Sequence, residues 1–566
     1  MAGTAEPEQS PDWGIAVRVT DGVVELLEDS GMEVVFGLPC EQLEAYYASL
    51  ADSDLRHVLG RSEAGAAIMA DGYARKARQA AVVDGVGGPG ATNTAIGLIE
   101  AHGASSPVVA LTGDNSRAFR GNEAIQDADN AAILDPFVSA SADPESPARL
   151  IDAVTDALRE SVAGVPGPTH VNLPEDLLDE ELDTLDEGGV SCTYPRDRPT
   201  PGPDRVEAAV DSLQDAERPI IVAGEGAVRS GAFDAIDDLA STAAIPVVTS
   251  MNAKGIVAET APYALGVTGR WGYSEPANDA LEAADVVLAL GARLGELTTN
   301  RWRAIDPSAT IVQVDLDPHW LGRTYDVAVP ILADVRAAVQ AITEAYEGPG
   351  GVDRTDRLDA LAEEYDQWRT GLEDAFTSAA TPIAPERIIH ELQSALPSRS
   401  VLVSATSFPG FFSAAYYEVT RPGVRYIQSR GSDGINYALP HGIGVQLATQ
   451  TEPVVVVTGD GGIGYHIAEL ETAAREHVPV TVIVFNNQSL RSSKLSQIGG
   501  YNVDVSTDFD PATDYATVAE GFGCTGHRVE EPAVLADTLP RAIASEDPVL
   551  LDVQVDPHAT PPLQLL

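Results

Sequence analysis

The stretch PVVVVTGDGGIGYHIAELETAAREHVPVTVIVFNNQSL, residues 453–490, decides the fold. Its opening run, 454–457, is short, apolar and β-branched, which reads as a strand buried on both faces of a parallel sheet. A glycine turn follows, Gly459-Asp460-Gly461-Gly462. Residues 465–476 carry Ile467, Leu470 and Ala474 at helical spacing. A second β-branched run, 480–485, ends in Asn486-Asn487. The pattern predicts a strand–helix–strand unit. Its two strand ends should lie side by side at the carboxyl edge of the sheet, where α/β folds bind ligands.

Two chemistries compete for this unit. Gly459, Gly461 and Gly464 spell the G-x-G-x-x-G dinucleotide fingerprint, but that motif needs an acidic residue after the second strand, and two amides stand there. The alternative uses both ends. Asp460 and Asn487 offer hard oxygen ligands suited to Mg²⁺, which shares its shell with substrate phosphates, and the backbone carbonyl of Ser489 is a candidate third ligand. Gly459, Gly461 and Gly462 let the backbone approach a diphosphate, whose charge a helix N-terminus favours.

G-D-G, an interval of 24 residues (462–485) and N-N resemble the signature of thiamine diphosphate enzymes. Upstream, GSDGINYALPHGIG (431–444) resembles the same family's G-x-G-x-M-G-x-G-L-P-A-A-I-G. That alignment implies cofactor contacts from Gly434 and Ile435. Ile435 takes the place of the bulky apolar residue that wedges the two cofactor rings into a bent shape, a role that suits a stiff β-branched side chain.

The resemblance extends to the first third of the chain. Around Glu63, RSEAGAAIMADGYAR is similar to the H-E-x-x-A-x-x-M-A-D-G-Y-A-R of acetolactate synthase and its relatives, and Gly88-Pro89-Gly90-Ala91-Thr92-Asn93 matches their G-P-G-A-T-N. This implies that Glu63 shares a proton with the cofactor's pyrimidine N1′ and so promotes deprotonation of the thiazolium carbon. Taken alone, Glu63 also reads as a helix-start carboxylate facing the dipole. Gly121 and Gln126, in GNEAIQDAD, align with the family's G-T-D-A-F-Q-E-x-D and are implied to approach the substrate end of the cofactor. Several positions depart from the family: Ser62 replaces its histidine, Leu294 a phenylalanine, Leu297 the arginine that recognises the second 2-oxo acid, Ser139 a lysine, and Ser496 a tryptophan. Losing a bidentate cation at a carboxylate site is a change in kind.

Alternating strand and helix patterns divide the chain into three α/β domains, each a parallel sheet flanked by helices: 14–182, 205–345 and 383–556. By the resemblance these are a pyrimidine-binding, a central Rossmann-like and a diphosphate-binding domain. Proline, glycine and charge mark linkers at 183–204 and from 348 to about 382. In the central domain a strand at 219–223 runs into Gly224-Glu225-Gly226-Ala227, which lacks the third glycine of the dinucleotide motif. Acetolactate synthase holds FAD in this domain and several relatives do not, so FAD stays open.

With 35 basic and 86 acidic residues the formal charge is −51, and lysine occurs only at 76, 254 and 494. The acids are spread along the chain, which excludes a nucleic-acid or anionic-membrane partner and reads as a halophile's cytoplasmic protein in molar salt. Cys40, Cys192 and Cys524 are far apart, with no C-x-x-C and no zinc spacing. No 18-residue apolar run exists, and the polar, acidic stretch 1–14 reads as a mobile tail.

The resemblance implies a thiamine diphosphate- and Mg²⁺-dependent enzyme that decarboxylates a 2-oxo acid and transfers or protonates the resulting enamine. The site would form between two subunits, in a homodimer or homotetramer. A decarboxylase of another substrate class and a catalytically silent homologue are the alternatives, with a nicotinamide oxidoreductase opposed by Asn486-Asn487. His441 and His466 lie near the motifs and are read as structural.

Overall fold

A computed structural model describes residues 17–182, 188–350, 353–449 and 451–563. The whole N-terminal stretch 1–14 and its continuation to 16, part of each linker (183–187 and 351–352), residue 450 and residues 564–566 lie outside the described residues.

The β-branched runs form strands buried on both faces, and they assemble into three six-stranded parallel sheets. The first has the spatial order Arg56–Leu59, Val34–Gly37, Ala81–Gly85, Val108–Asp114, Thr169–Pro174, Ala140–Ala142. The central sheet runs Ala264–Val267, Val247–Thr249, Pro219–Ala223, Val286–Leu290, Thr310–Asp315, Val329–Leu332. The third runs Tyr426–Gln428, Val401–Ser404, Val454–Gly459, Val480–Asn486, Val549–Gln554, Thr525–Val529. Numbered within each sheet in chain order, the first and third share the order 2-1-3-4-6-5, whereas the central sheet has 3-2-1-4-5-6, the doubly wound dinucleotide-binding order. A two-stranded antiparallel ribbon, Val17–Arg18 with Glu181–Leu182, ties the ends of the first domain together.

The opening stretch folds as one parallel unit, with Val454 paired to Val480 and Gly459 to Phe485. One detail differs from the periodicity. Helix begins at once in a short turn, Asp460–Ile463, passes through turns to 468, and resumes at Glu469–Arg475 instead of running unbroken over 465–476. Gly461, Gly462 and Gly464 lack the side-chain contacts that would carry a helix through.

The first and third domains share one apolar core, in which Val34, Phe36 and Met69 belong to the same cluster as Ile443, Val456 and Val482. Helices Glu63–Ala77 and Ala438–Thr449 meet at its centre through small residues. A Cβ on Gly72 would come within 2.5 Å of the His441 carbonyl, and one on Gly444 would overlap the Met69 carbonyl. Across this seam His441 Nε2 meets Asp71 Oδ2 at 2.8 Å, and on the first-domain side Arg75 pairs with Asp71 (2.9 Å) and Glu100 (2.7 Å). Arg75 and His441 hold the Asp71 carboxyl well below the usual carboxylate range despite its burial.

All three lysines are paired: Lys76 with Glu452, Lys254 with Glu259 at 2.7 Å, and Lys494 with Asp508 at 2.8 Å. The three cysteines are free. Among the described residues no helix is long and apolar enough to cross a membrane.

Candidate active site

Adjacent parallel strands bring Asp460 and Asn487 to one edge of the third sheet. Asp460 directly follows Val454–Gly459, and Asn487 directly follows Val480–Asn486. Asp460 Oδ1 accepts from Gly461 N at 2.8 Å, and Oδ2 accepts from Ser489 N at 3.2 Å. Asn487 Oδ1 accepts from the same Ser489 N at 3.1 Å and from Ser489 Oγ at 3.2 Å. Two side-chain oxygens thus converge on one donor. The chain reaches this position through Gln488, whose φ is +58°. The Ser489 carbonyl accepts from Arg491 N at 2.8 Å, which leaves one lone pair. Asn486 turns the other way and donates to Asp552 Oδ1 at 2.8 Å, so the two asparagines have separate tasks.

Asp460 is 4% exposed, and among the described residues no basic side chain pairs with it. Burial, the largest influence, pushes its carboxyl up to about 7, against the opposing pull of backbone donors at Gly461, Gln488 and Ser489. A buried carboxylate that shares its surroundings with an amide oxygen and a backbone carbonyl is short of a cation. Among the described residues there is no cluster of three or more His, Cys, Asp or Glu. The donors present are the mixed oxygen set that a hard divalent ion takes.

Glycine shapes the wall beside it. A Cβ on Gly462 would stand 2.5 Å from the Ile435 carbonyl and 3.1 Å from Thr458 Oγ1, and one on Gly434 would overlap the Tyr437 ring. The half-buried Ile435 therefore lies directly against the diphosphate turn. Its loop is anchored from the first domain: the buried Glu100 accepts from Gly431 N (2.9 Å) and Ser432 N (2.7 Å) while pairing with Arg75. Beside the loop, His466 Nε2 lies 3.2 Å from Asn436 Nδ2, and burial lowers its pKa to about 4, so the ring is neutral near pH 7.

Glu63 opens helix Glu63–Ala77 and is 5% exposed. Asn93 Nδ2 donates to its Oε2 at 3.0 Å. A Cβ on Gly90 would reach 2.9 Å from Glu63 Oε1, and one on Gly85 would reach 3.0 Å from its Cγ, so both glycines make room for this side chain. Ser62, which stands where the related sequences have histidine, is the helix N-cap and accepts from Gly65 N at 3.0 Å. Asn93 was quoted in the sequence only as part of G-P-G-A-T-N. Its contact with Glu63 gives that motif a task.

Gly121 (φ +73°) and Gln126 (φ +61°) sit on an exposed loop. Only the Gln126 backbone reaches the site wall, its carbonyl 3.0 Å from where a Gly88 Cβ would stand. Ser139 and Ser496 are exposed, and Leu294 is buried with a φ of +50°. In the central domain Gly224 and Gly291 meet backbone to backbone at the switch point between Pro219–Ala223 and Val286–Leu290, beneath a groove that also exposes Asn252 and Arg293.

Sequence comparisons cover the same three regions. Family descriptions match as "Thiamine pyrophosphate enzyme, N-terminal TPP binding domain" over residues 17–133, the central domain over 206–342, and the C-terminal TPP binding domain over 409–553. A probable acetolactate synthase large subunit of Methanococcus aeolicus is 30% identical over 555 residues, spanning 95% of this chain and 92% of the relative. The acetolactate synthase isozyme 3 large subunit of Escherichia coli is 30% identical, with 94% of both chains covered. The Bacillus subtilis acetolactate synthase is also 30% identical, over 95% of this chain and 93% of its own.

Proposed function

Because this chain belongs to the thiamine pyrophosphate enzyme family, as an acetolactate synthase-like, thiamine diphosphate-dependent carboligase, we propose the following roles for its residues. Asp460, Asn487 and the Ser489 carbonyl would hold Mg²⁺, and Gly459, Gly461 and Gly462 would leave room for the diphosphate. The observation that carries this is the buried Asp460 carboxylate, without a basic partner among the described residues and sharing the Ser489 N donor with Asn487. When bound, thiamine diphosphate supplies the electron sink for the pair left behind by departing CO₂. The protein's own part is positioning and proton movement. Gly434 and Ile435 orient the ring system. Glu63, steadied by Asn93, holds or yields a proton at the pyrimidine N1′.

The substrate is a small 2-oxo acid. Leucine at 297 and serines at 139 and 496 support an acceptor other than a second 2-oxo acid, so simple decarboxylation is the second reading. In the central domain, the 3-2-1-4-5-6 strand order and the Gly224/Gly291 switch point support a nucleotide-sized occupant. The visible absorbance of purified protein distinguishes FAD from a colourless nucleotide.

We infer a homodimer, or a tetramer built from it, in which Glu63 of one subunit faces Asp460 of the other. Large apolar side chains exposed beside both half-sites support this: Ile96, Phe119 and Ile125 in the first domain, and Tyr465, Ile498 and Tyr501 in the third. The even spread of acids supports a high-salt cytoplasm, and assays belong in molar KCl. There, thiamine diphosphate with Mg²⁺ should raise the melting temperature and NAD should not. A panel of 2-oxo acids, followed by CO₂ release and carbon–carbon bond products, identifies the substrate. A stabilising effect of NAD without one from thiamine diphosphate would overturn the assignment of these roles.

A further inference from the structure

One carboxylate ties the Asp460-bearing third domain to the Glu63-bearing first domain within a single chain. Glu469 begins helix Glu469–Arg475, nine residues beyond Asp460, and is 1% exposed. Its two oxygens lie 3.2 Å from Arg61 N, across the boundary between the third and first domains, and Oε2 also accepts from Thr472 Oγ1 at 2.7 Å. Arg61 lies two residues before Glu63 and directly precedes the N-cap Ser62, so its N–H belongs to the stretch of chain that leads into the helix carrying Glu63. Ser62 Oγ takes the Gly65 N–H. Glu469 takes the donor that the local chain does not reach. A Cβ at position 65 would overlap the Glu469 carboxylate, so the glycine two residues after Glu63 makes room for this contact.

We propose that Glu469 is a positioning residue for Glu63, fixing from the third domain the backbone from which the acid–base carboxylate projects. Glu63 is then steadied from two sides, its carboxylate by Asn93 and the main chain two residues upstream, at Arg61, by Glu469. Asp460 and Glu469 stand at the two ends of one short stretch of turns, so the segment proposed to grip the metal at one end fixes at the other the chain that leads into the acid–base helix. A carboxylate at a helix N-terminus is favoured electrostatically, and a misplacement of the order of an ångström at a proton-transfer site costs about a hundredfold in rate. The proposal rests on the role given to Glu63 above.

The test uses full-length protein with thiamine diphosphate and Mg²⁺. Glu469→Ala is expected to lower kcat for CO₂ release about tenfold to a hundredfold, with KM and cofactor Kd within about twofold. Glu469→Gln, which keeps an acceptor oxygen, should recover much of the loss. In cofactor-free protein, amide hydrogen exchange of a peptide spanning residues 59–67 should accelerate about tenfold in the alanine variant, with the remaining peptides unchanged. Against a Glu63→Gln background, removing Glu469 should change the residual rate less than about twofold. Should the alanine variant fail to fold, Glu469→Asp withdraws the carboxylate while keeping its charge and decides the same question. Wild-type kcat in the folded alanine or aspartate variant overturns the proposal, as does an undiminished effect against Glu63→Gln. A fully active Glu63→Gln single variant would instead refute the role of Glu63 itself, so the two failures are distinguishable.

Discussion

Removing the buried Asp460 carboxylate should make metal-free protein more stable at pH 8, not less. In Asp460→Asn the buried charge is gone. A carboxyl moved from 3.8 to about 7 by burial binds a proton in the fold that the unfolded chain releases between those pH values. Stability therefore falls as pH rises from about 4 to 7, and the full cost is present above that window. At about 1.4 kcal/mol per pH unit, this cost is roughly 4 kcal/mol at pH 8. Asparagine keeps one of the two backbone hydrogen bonds that Asp460 accepts from Gly461 N and Ser489 N, and losing the other costs about 1 kcal/mol. The variant is then ahead by about 3 kcal/mol at pH 8 and by less than about 1 kcal/mol at pH 5. For a domain of this size, that is a rise in Tm of roughly 6–12 °C at pH 8. The assay is calorimetry of chelator-treated protein at both pH values, following the transition assigned to the third domain. Mg²⁺ with thiamine diphosphate should then stabilise the native chain at pH 8 and leave the variant unmoved. Parallel pH profiles for the two proteins would refute the reasoning, because Asp460 would then ionise normally and the site would have no need of a cation.

Glu63→Gln should keep the cofactor bound, seen as an unchanged thermal shift, while CO₂ release is lost. Gly462→Ala forces a methyl group to 2.5 Å from the Ile435 carbonyl, so it should cost about 1–3 kcal/mol in unfolding free energy and weaken cofactor affinity in a binding titration. Glu100→Gln weakens the anchor on Gly431 and Ser432 and strips a charge from Arg75, so an apparent loss of about 3 kcal/mol is expected by denaturant titration. Sedimentation velocity in molar KCl should return a dimer or tetramer, and a monomer with full activity would exclude a site shared between subunits.

The fold was legible where the chain is β-branched and continuous. The runs at 454–457, 480–485 and 219–223 all became central strands. Edge strands were not legible. Arg56–Leu59 and Thr525–Val529 carry half-exposed polar residues, and Ala140–Ala142 is too short for a pattern. The meeting of Asp460 and Asn487 was legible because each directly follows a buried strand within one contiguous unit. Glu469 was not, since it lies 408 residues from the backbone it caps, and nothing in the local spelling marks a contact over that separation. Gly65 carried a signal in principle, as a glycine inside a helix start, but without a fold its missing side chain has no stated neighbour. Motif likeness points to Gly121 and Gln126, and in the single chain both lie on an exposed loop.

The common core of the first and third domains has a consequence for how the protein is made. Helix Glu63–Ala77 leaves the ribosome some 361 residues ahead of helix Ala438–Thr449, with the whole central domain synthesised in between. At roughly 5–20 residues per second, the alanine-rich face of the nascent first domain waits about twenty seconds to a minute for its cover. Newborn chains should therefore engage a holding chaperone through that face. A fragment ending before residue 400 should be captured and degraded, whereas supplying the last third in trans should rescue it.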